Sequence, residues 1–567
     1  MLIYLICFAI MFFIFTIVGK SFVLKIDSYN YYDTFDSFFI GISITGSFLN
    51  LWSLFFPTDG IALILLILIS IVLFYYLYKK NTNIFKNQFN ILCNYYKNKK
   101  YYLLAIVLIT LIILFSSLVY PKLFDSDLYH IAAIRWNELY SVVPGLANFN
   151  NRFGFNSSIL VLSAAFTFST FFNQSLYIIN ALISLVFFIW LIKISFEHKG
   201  IVSFISLFFI YFFFEQYTLD ISSPGTDLMP NILASFIFIK LLILGYNFKE
   251  KYLLYIIIPF FCITLKLSMT PVIVLSLFAL HQKNKNKIFI LKNTLIYAIV
   301  LVFPWIIRNI ILTGYVLYPF EYIDLFNFDW KVPVENVVDI KKWVSSWARI
   351  PFKEHEEVLG KSFAEWFPIW WEAVILKNKI LFYISILTPV FVLIKYFKNK
   401  LFFKKSFIFS IFICYLCFIF WFILAPDFRF SFSFILLLNS AIFFMFFEQI
   451  IAKIRYLDYV KFIFILSILL ILIDKSFLLF TKDYKFDKIN TYAILPKNYK
   501  KHVRRSGSEF TDNIYFNSKN EKIILYGVGP NNIQRCYDLV PCSPFLSNNL
   551  KLRGESLQDG FKFENKQ

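Results

Sequence analysis

Long apolar blocks alternate with short polar connections along almost the whole chain. Hydropathy predicts membrane spans near 2–18, 36–56, 60–78, 101–119, 176–194, 201–218, 230–246, 252–268, 270–281, 288–307, 380–397, 407–424, 432–450 and 461–480. The block at 270–281 is shorter than a bilayer crossing needs. The pattern predicts an all-α integral membrane protein of about fourteen transmembrane helices. Three stretches break the rhythm, 120–175, 308–379 and 481–567. They are too long and too polar to be simple connections.

Composition supports lipid as the main solvent. Hydrophobic residues make up 59% of the 567 positions and charged ones only 16%, more apolar surface than a soluble fold of this length can hide. The net charge of +20 would suit a nucleic-acid binder, but its distribution gives it another meaning. The loop 79–100 holds Lys79, Lys80, Lys86, Lys97, Lys99 and Lys100 without an acid, and the loops 282–292 and 395–406 are equally one-sided. These loops fall on alternate connections, so they share one face, which the positive-inside rule makes cytoplasmic. Both termini and the three long polar stretches are then expected on the outer face, and no nucleic-acid partner is expected.

The first span lacks a preceding basic residue and a small-residue cleavage site, so it reads as an uncleaved helix. The cytoplasmic loops contain no Gly-rich phosphate loop. Gly527-Val528-Gly529-Pro530, after the strand-like Ile523–Tyr526, reads as a turn in a small external α/β tail segment. Cys536 and Cys542 are the two external cysteines and are expected to pair in an oxidising compartment. Cys414 and Cys417 lie inside an apolar span, where buried thiols are the ordinary outcome.

Candidate chemistry concentrates in the first long loop, which opens Lys122-Leu123-Phe124-Asp125-Ser126-Asp127-Leu128-Tyr129-His130 and continues to Arg152-Phe153-Gly154-Phe155-Asn156. The spacing of Leu128, Ile131, Ala132 and Ile134 predicts an amphipathic helix lying along the membrane surface from near Asp125. Asp125 or Ser126 could cap it, and for Asp125 a functional role is the equal alternative. Asp127 and His130 share a face, and a carboxylate there suits proton abstraction from an acceptor hydroxyl or binding of a divalent cation. Asp220 and Asp227 flank Ser222-Ser223-Pro224-Gly225 between two spans, as an exposed turn or as cavity residues. Lys266, Arg308 and Arg429 stand at span ends, where cations suit a phosphate; Asp427 and Arg429 are also placed to brace each other. Lys240 is expected to be a bundle contact. Trp330, Trp343, Trp347, Trp366, Trp370 and Trp371 crowd the loop 308–379, as interface anchors or as sugar-stacking surfaces.

An Asp-bearing first large external loop, followed by a helix and many spans, resembles the GT-C glycosyltransferases over roughly 101–310. That group includes protein mannosyltransferases, oligosaccharyltransferases and the aminoarabinose transferases of lipid A. Along most of its length the chain also resembles an uncharacterised family of bacterial multi-pass membrane proteins. The segments that carry this likeness include Phe124–His130, Arg152–Ser158, Ser222-Ser223-Pro224, Lys266-Leu267-Ser268, Asp329–Pro333, Ala425–Phe430 and Leu552-Arg553-Gly554.

The GT-C resemblance implies a catalytic-base role for Asp125 or Asp127, without choosing between them. It implies a transferase in the bacterial cytoplasmic (inner) membrane, taking a sugar from a polyprenyl-phosphate-linked donor to a glycan or lipid acceptor in envelope assembly. Catalytic residues are then expected among Asp125, Asp127 and His130, and substrate contacts among Lys266, Arg308, Arg429, Arg152 and Asp227. Two other classes compete. A polysaccharide polymerase or ligase would lean on Arg349 and His355. A lipid-linked-glycan flippase should carry inverted repeats, and none stands out. On the leading reading the chain divides into N-terminal helices (1–100), a GT-C-like core (101–310), a large external loop (311–379), C-terminal helices (380–480) and an external tail (481–567).

Overall fold

The computed structural model describes residues 1–26, 32–80, 100–198, 201–242, 251–277, 287–398, 405–451, 457–483, 510–517, 522–528, 536, 539–544, 546–547 and 549–564. Most of the basic connections expected to be cytoplasmic lie outside the described residues.

The protein is a multi-pass helical bundle with a small C-terminal sheet. Nine described helices are long and apolar enough to cross a membrane: Leu2–Ile26, Gly60–Lys80, Tyr101–Leu118, Ile179–Glu197, Val202–Ile221, Leu291–Thr313, Leu376–Lys398, Phe407–Leu424 and Phe428–Phe447. Several other apolar blocks fold as weaker or shorter helices, for local reasons. Thr34–Trp52 is diluted by Asp36, Ser37, Ser43, Thr45, Ser47 and Asn50, all buried. Leu254–Leu265 stops at Lys266, whose backbone is extended (φ −158°, ψ 127°). The chain then winds as a 3-10 helix over Leu267–Ile273, with Pro271 inside it. Helices Leu2–Ile26 and Thr34–Trp52 touch backbone to backbone at Gly19 and Gly41, where a Cβ on either glycine would strike the facing main chain.

The two ends of the bundle differ. At one end the turn after Trp52 is tied to the first long loop: Thr58 N donates to Asn137 O (2.7 Å) and Val142 N to Ser53 O (2.8 Å). Gly145 N donates to Ile311 O (2.8 Å), and Phe561 N donates to Pro144 O (3.0 Å). Arg553 pairs with Asp329 (2.9 Å). Parts of all three long polar stretches therefore gather at this end. At the opposite end Asp33 and Asp36 form a reciprocal cap on Thr34–Trp52, and Lys240 and Lys251 converge on the fully buried Asp36 carboxylate. The Lys251–Asp36 contact is 2.7 Å. Lys240 is thus half of a buried ion cluster rather than a plain bundle contact.

In the tail, Phe510–Asn517 and Lys522–Val528 pair antiparallel, with Asn513 opposite Tyr526. Cys542–Ser543 adds parallel to the second strand, and Leu550–Leu552 pairs antiparallel with Phe561–Phe563. Cys536 and Cys542 form a disulfide, with Cα atoms 5.6 Å apart. The described tail is strands with one 3-10 turn, Leu557–Asp559, so among the described residues its helical share is less than an α/β segment implies.

Candidate functional site

The site is organised around Arg429. The helix Phe428–Ile451 begins directly after Pro426-Asp427, and two indoles fix that start. Trp370 Nε1 donates to Pro426 O (3.0 Å) and Trp421 Nε1 to Asp427 O (2.7 Å). Asp427 then accepts from the Arg429 backbone N–H (3.1 Å) and from its Nε (2.8 Å). The first turn does not run straight: Ser431 is non-helical (φ −140°, ψ 21°). The Arg429 carbonyl is freed to accept from Tyr217 Oη (2.8 Å) and Asn231 Nδ2 (3.2 Å). Polar side chains from two neighbouring helices thus hold one arginine in a single pose.

From that pose the guanidinium reaches the first long loop. Arg429 Nη1 donates to Asp125 Oδ2 at 3.0 Å, across 304 positions of sequence. Arg429 Nε lies 3.8 Å from Asp227 Oδ2, and Asp227 forms an ion pair with Lys266. The Lys266 ammonium also sits over the Phe430 ring, 3.4 Å from its centroid. The extended break at Lys266 is what brings it here, because it falls between a helix and a 3-10 segment. Asn180 secures the far side by donating to the carbonyls of Asp220 (3.3 Å), Ser223 (3.0 Å) and Gly225 (2.9 Å). Gly225 packs directly on the Asp220 carboxylate, where a Cβ would collide. Asp220 and Asp227 are both buried, so their connection is not an exposed turn.

The cluster is open enough to be reached. Asp125, Asp427 and Arg429 keep 28, 28 and 29% of their side-chain surface, while Asp227 keeps 10%. Burial alone would raise the Asp125 carboxyl, but the charges of Arg429 and Arg152 outweigh it and hold the group below the usual carboxylate range. His130, next to it in space, is buried, and neither ring nitrogen has a hydrogen-bond partner among the described residues. Burial pushes its imidazole down to about 4, against the opposing pull of Asp125 and Asp227, so it is neutral at physiological pH.

The structure thus brings together Asp125, His130, Asp227, Lys266 and Arg429, with Arg152 acting on Asp125 through its charge. Asp125 is not a helix cap: its side chain makes no capping bond, and the Arg429 guanidinium takes it instead. The segment after it is a π-type turn, Ser126–His130, leading into the helix Ile131–Leu139. Ser126 to Ile134 are all buried, so the expected half-solvated surface helix is replaced by an embedded one. Asp127 is buried, and Tyr120 Oη reaches its Oδ1 at 3.4 Å. Arg308 lies elsewhere, donating to Asn156 (3.0 Å), Ser53 (2.6 Å) and Asn137 (2.9 Å).

Tyr217, Asn231 and Phe430 were not legible as site residues, although Tyr217 and Asn231 stand out as polar positions in apolar blocks. Arg349 and His355 are bound locally instead. Arg349 donates to the carbonyls of Ser345 and Ile423 (both 3.0 Å) and stacks on Trp366; His355 pairs with Asp339 (2.8 Å). Trp366, Trp370 and Trp371 pack among Phe382, Phe422 and Phe428.

A metal ion fits this cluster poorly. Arg429 and Lys266 lie between the carboxylates, and among the described residues no group of three or more His, Cys, Asp or Glu is arranged to hold one.

A family model described as a domain of unknown function (DUF8201) matches residues 1–436. Every residue of the cluster falls inside that match, and the disulfide-bearing tail falls outside it. No curated protein and no solved structure matches the chain.

Proposed function

We propose that this chain, which belongs to the DUF8201 family, is a membrane glycosyltransferase of GT-C type. In this reading about fourteen crossings place the end of the bundle that carries the long loops on the outer face of the bacterial cytoplasmic membrane. Nucleotide-sugars are absent there, so the donor is a sugar on a polyprenyl phosphate and the acceptor a glycan or lipid hydroxyl. The observation that carries the reading is the salt bridge from Asp125 to Arg429 beside Lys266, because it sets a carboxylate against two cations at a reachable site.

The chemistry follows from those groups. The acceptor oxygen attacks the anomeric carbon as the bond from that carbon to the phosphate oxygen breaks. The hydroxyl proton passes to Asp125, and the negative charge left on the phosphate is met by Lys266 and Arg429. Asp125 paired to Arg429 is ionised but weakly basic. Of the carboxylates on Arg429, Asp427 is its near neighbour in sequence and Asp227 is shared with Lys266, so Asp125 is the one a phosphate displaces most easily. Losing that partner restores its basicity, and donor binding thereby readies the base.

The test compares Asp125→Asn and Asp127→Asn in membranes supplied with polyprenyl-phosphate sugar. Asp125→Asn should lose about 10²-fold or more of transfer, the scale of a missing general base, while Asp127→Asn should lose little. The reverse pattern would move the base to Asp127. A glycan and glycolipid profile unchanged by removing both carboxylates would defeat the glycosyltransferase reading.

A further inference from the structure

Arg308 is a buried cation without a buried anion. It is 3% exposed, and its three hydrogen bonds go to neutral acceptors: the side-chain oxygens of Asn156, Ser53 and Asn137. A guanidinium has more N–H groups than these three can use, and among the described residues no carboxylate reaches it. Such a charge is costly to bury unless something compensates it. The residue lines a small cavity of about 30 Å³ together with Trp136, Asn137, Ser141, Asn156 and Ser157. Trp136 supplies the second observation. It is 2% exposed, and its indole N–H is buried without an acceptor among the described residues. An indole nitrogen can only donate, so a residue of the same cavity wall carries an unspent donor as well as the uncompensated cation of Arg308.

We propose that this cavity is an anion site, taking one oxyanion group (phosphate or carboxylate) through Arg308 and Trp136. An oxyanion supplies what is missing, a negative charge for the guanidinium and an acceptor lone pair for the indole. A lone water would supply only the second. The site is separate from the Asp125–Arg429 cluster but is built on a shared segment. Ser157, on the cavity wall, donates through Oγ to Leu265 O (2.7 Å), one residue before Lys266. Arg152, five residues before Ser157, is one of the residues, after Arg429, whose charge acts on Asp125. At the rim, Ser141 meets Gln558 of the tail (3.0 Å), and the Trp136 ring meets Phe561. The tail therefore borders the mouth, and a ligand bound here lies between the tail and the transmembrane core.

The experiment titrates inorganic phosphate, and in a second arm acetate, into the detergent-purified full chain by calorimetry at constant ionic strength. A Lys266→Met background weakens phosphate binding at the other cluster, and loss of the signal on Trp136→Phe in that background assigns it to this cavity. Saturable binding is expected in at least one arm, and the stronger arm identifies the group. Trp136→Phe keeps the ring and removes the donor, so it should weaken binding about tenfold or more, the loss of one hydrogen bond to a charged group. Arg308→Gln should weaken it further; should that variant fail to fold, Trp136→Phe decides alone. Wild-type affinity in Trp136→Phe overturns the proposal. So does the absence of saturable binding of either anion, which would leave the cavity to water.

Discussion

His130 offers a test in which the sign and the size of the effect are both fixed in advance. Burial holds the imidazole neutral, moving it from its ordinary 6.5 down to about 4. That displacement corresponds to about 3 kcal/mol against the protonated form. Between those two values the unfolded chain binds a proton that the folded chain refuses, so stability falls as pH falls through the window. Above 6.5 the group is neutral in both states and contributes no slope; below about 4 both states are charged and the loss is complete. The perturbation is His130→Gln, which keeps a polar group of similar length but cannot titrate. Thermal unfolding of the detergent-purified chain, followed from pH 7.5 to pH 4, should show the wild type losing several degrees more than the variant. One kcal/mol moves a midpoint by about 2–4 °C in a domain of 150–250 residues, and by less in a longer chain. Only the difference in slope matters, because the substitution also changes the baseline. Parallel pH profiles would refute the reasoning, since they would mean that His130 is solvated or paired. The result bears on the proposed chemistry too, because an imidazole this hard to protonate is not a proton donor near neutrality.

Two further outcomes probe the ends of the bundle. Single cysteines placed within 331–361 or 549–564 should react with an impermeant thiol reagent added outside intact cells, while those within 79–100 should need permeabilisation; the opposite pattern would invert the orientation. Asp36→Leu should strand Lys240 and Lys251 without their shared, fully buried carboxylate and destabilise the chain by about 3–5 kcal/mol, whereas Asp36→Leu with both lysines changed to Met should recover most of that, as measured by thermal unfolding.

The membrane architecture was legible because it needs only composition along one dimension. Apolar blocks such as Leu2–Ile26 and Gly60–Lys80 are continuous, and no soluble fold has use for so many. Legibility failed where a helix is shaped by what lies beside it. The embedded segment Ser126–Ile134 has the spacing of a surface helix, and its polar residues looked solvent-facing because nothing in the sequence shows the walls that cover them. Asp33 and Asp36 with Lys240 and Lys251 failed for a related reason. Each is an isolated charge near a span end, where snorkelling to the interface is the ordinary outcome, and their convergence depends on helix neighbours that are about 200 positions apart.

The site was half legible, and the division is instructive. Asp125, Asp227, Lys266 and Arg429 could each be singled out, because a charge at the rim of an apolar block calls for a reason. What could not be read was the choice between Asp125 and Asp127. They are two positions apart, and the helical pattern favoured Asp127, which shares a face with His130. The contact from Arg429 to Asp125 depends on the turn at Asp427 and on Tyr217 and Asn231 gripping the Arg429 carbonyl. Arg308 shows the converse. Its sequence setting, a cation ending a span, is the same as that of Arg429, yet it meets three neutral oxygens where Arg429 meets carboxylates. The two arginines therefore do opposite work, one already balanced and one still requiring an anion, and that contrast exists only in three dimensions.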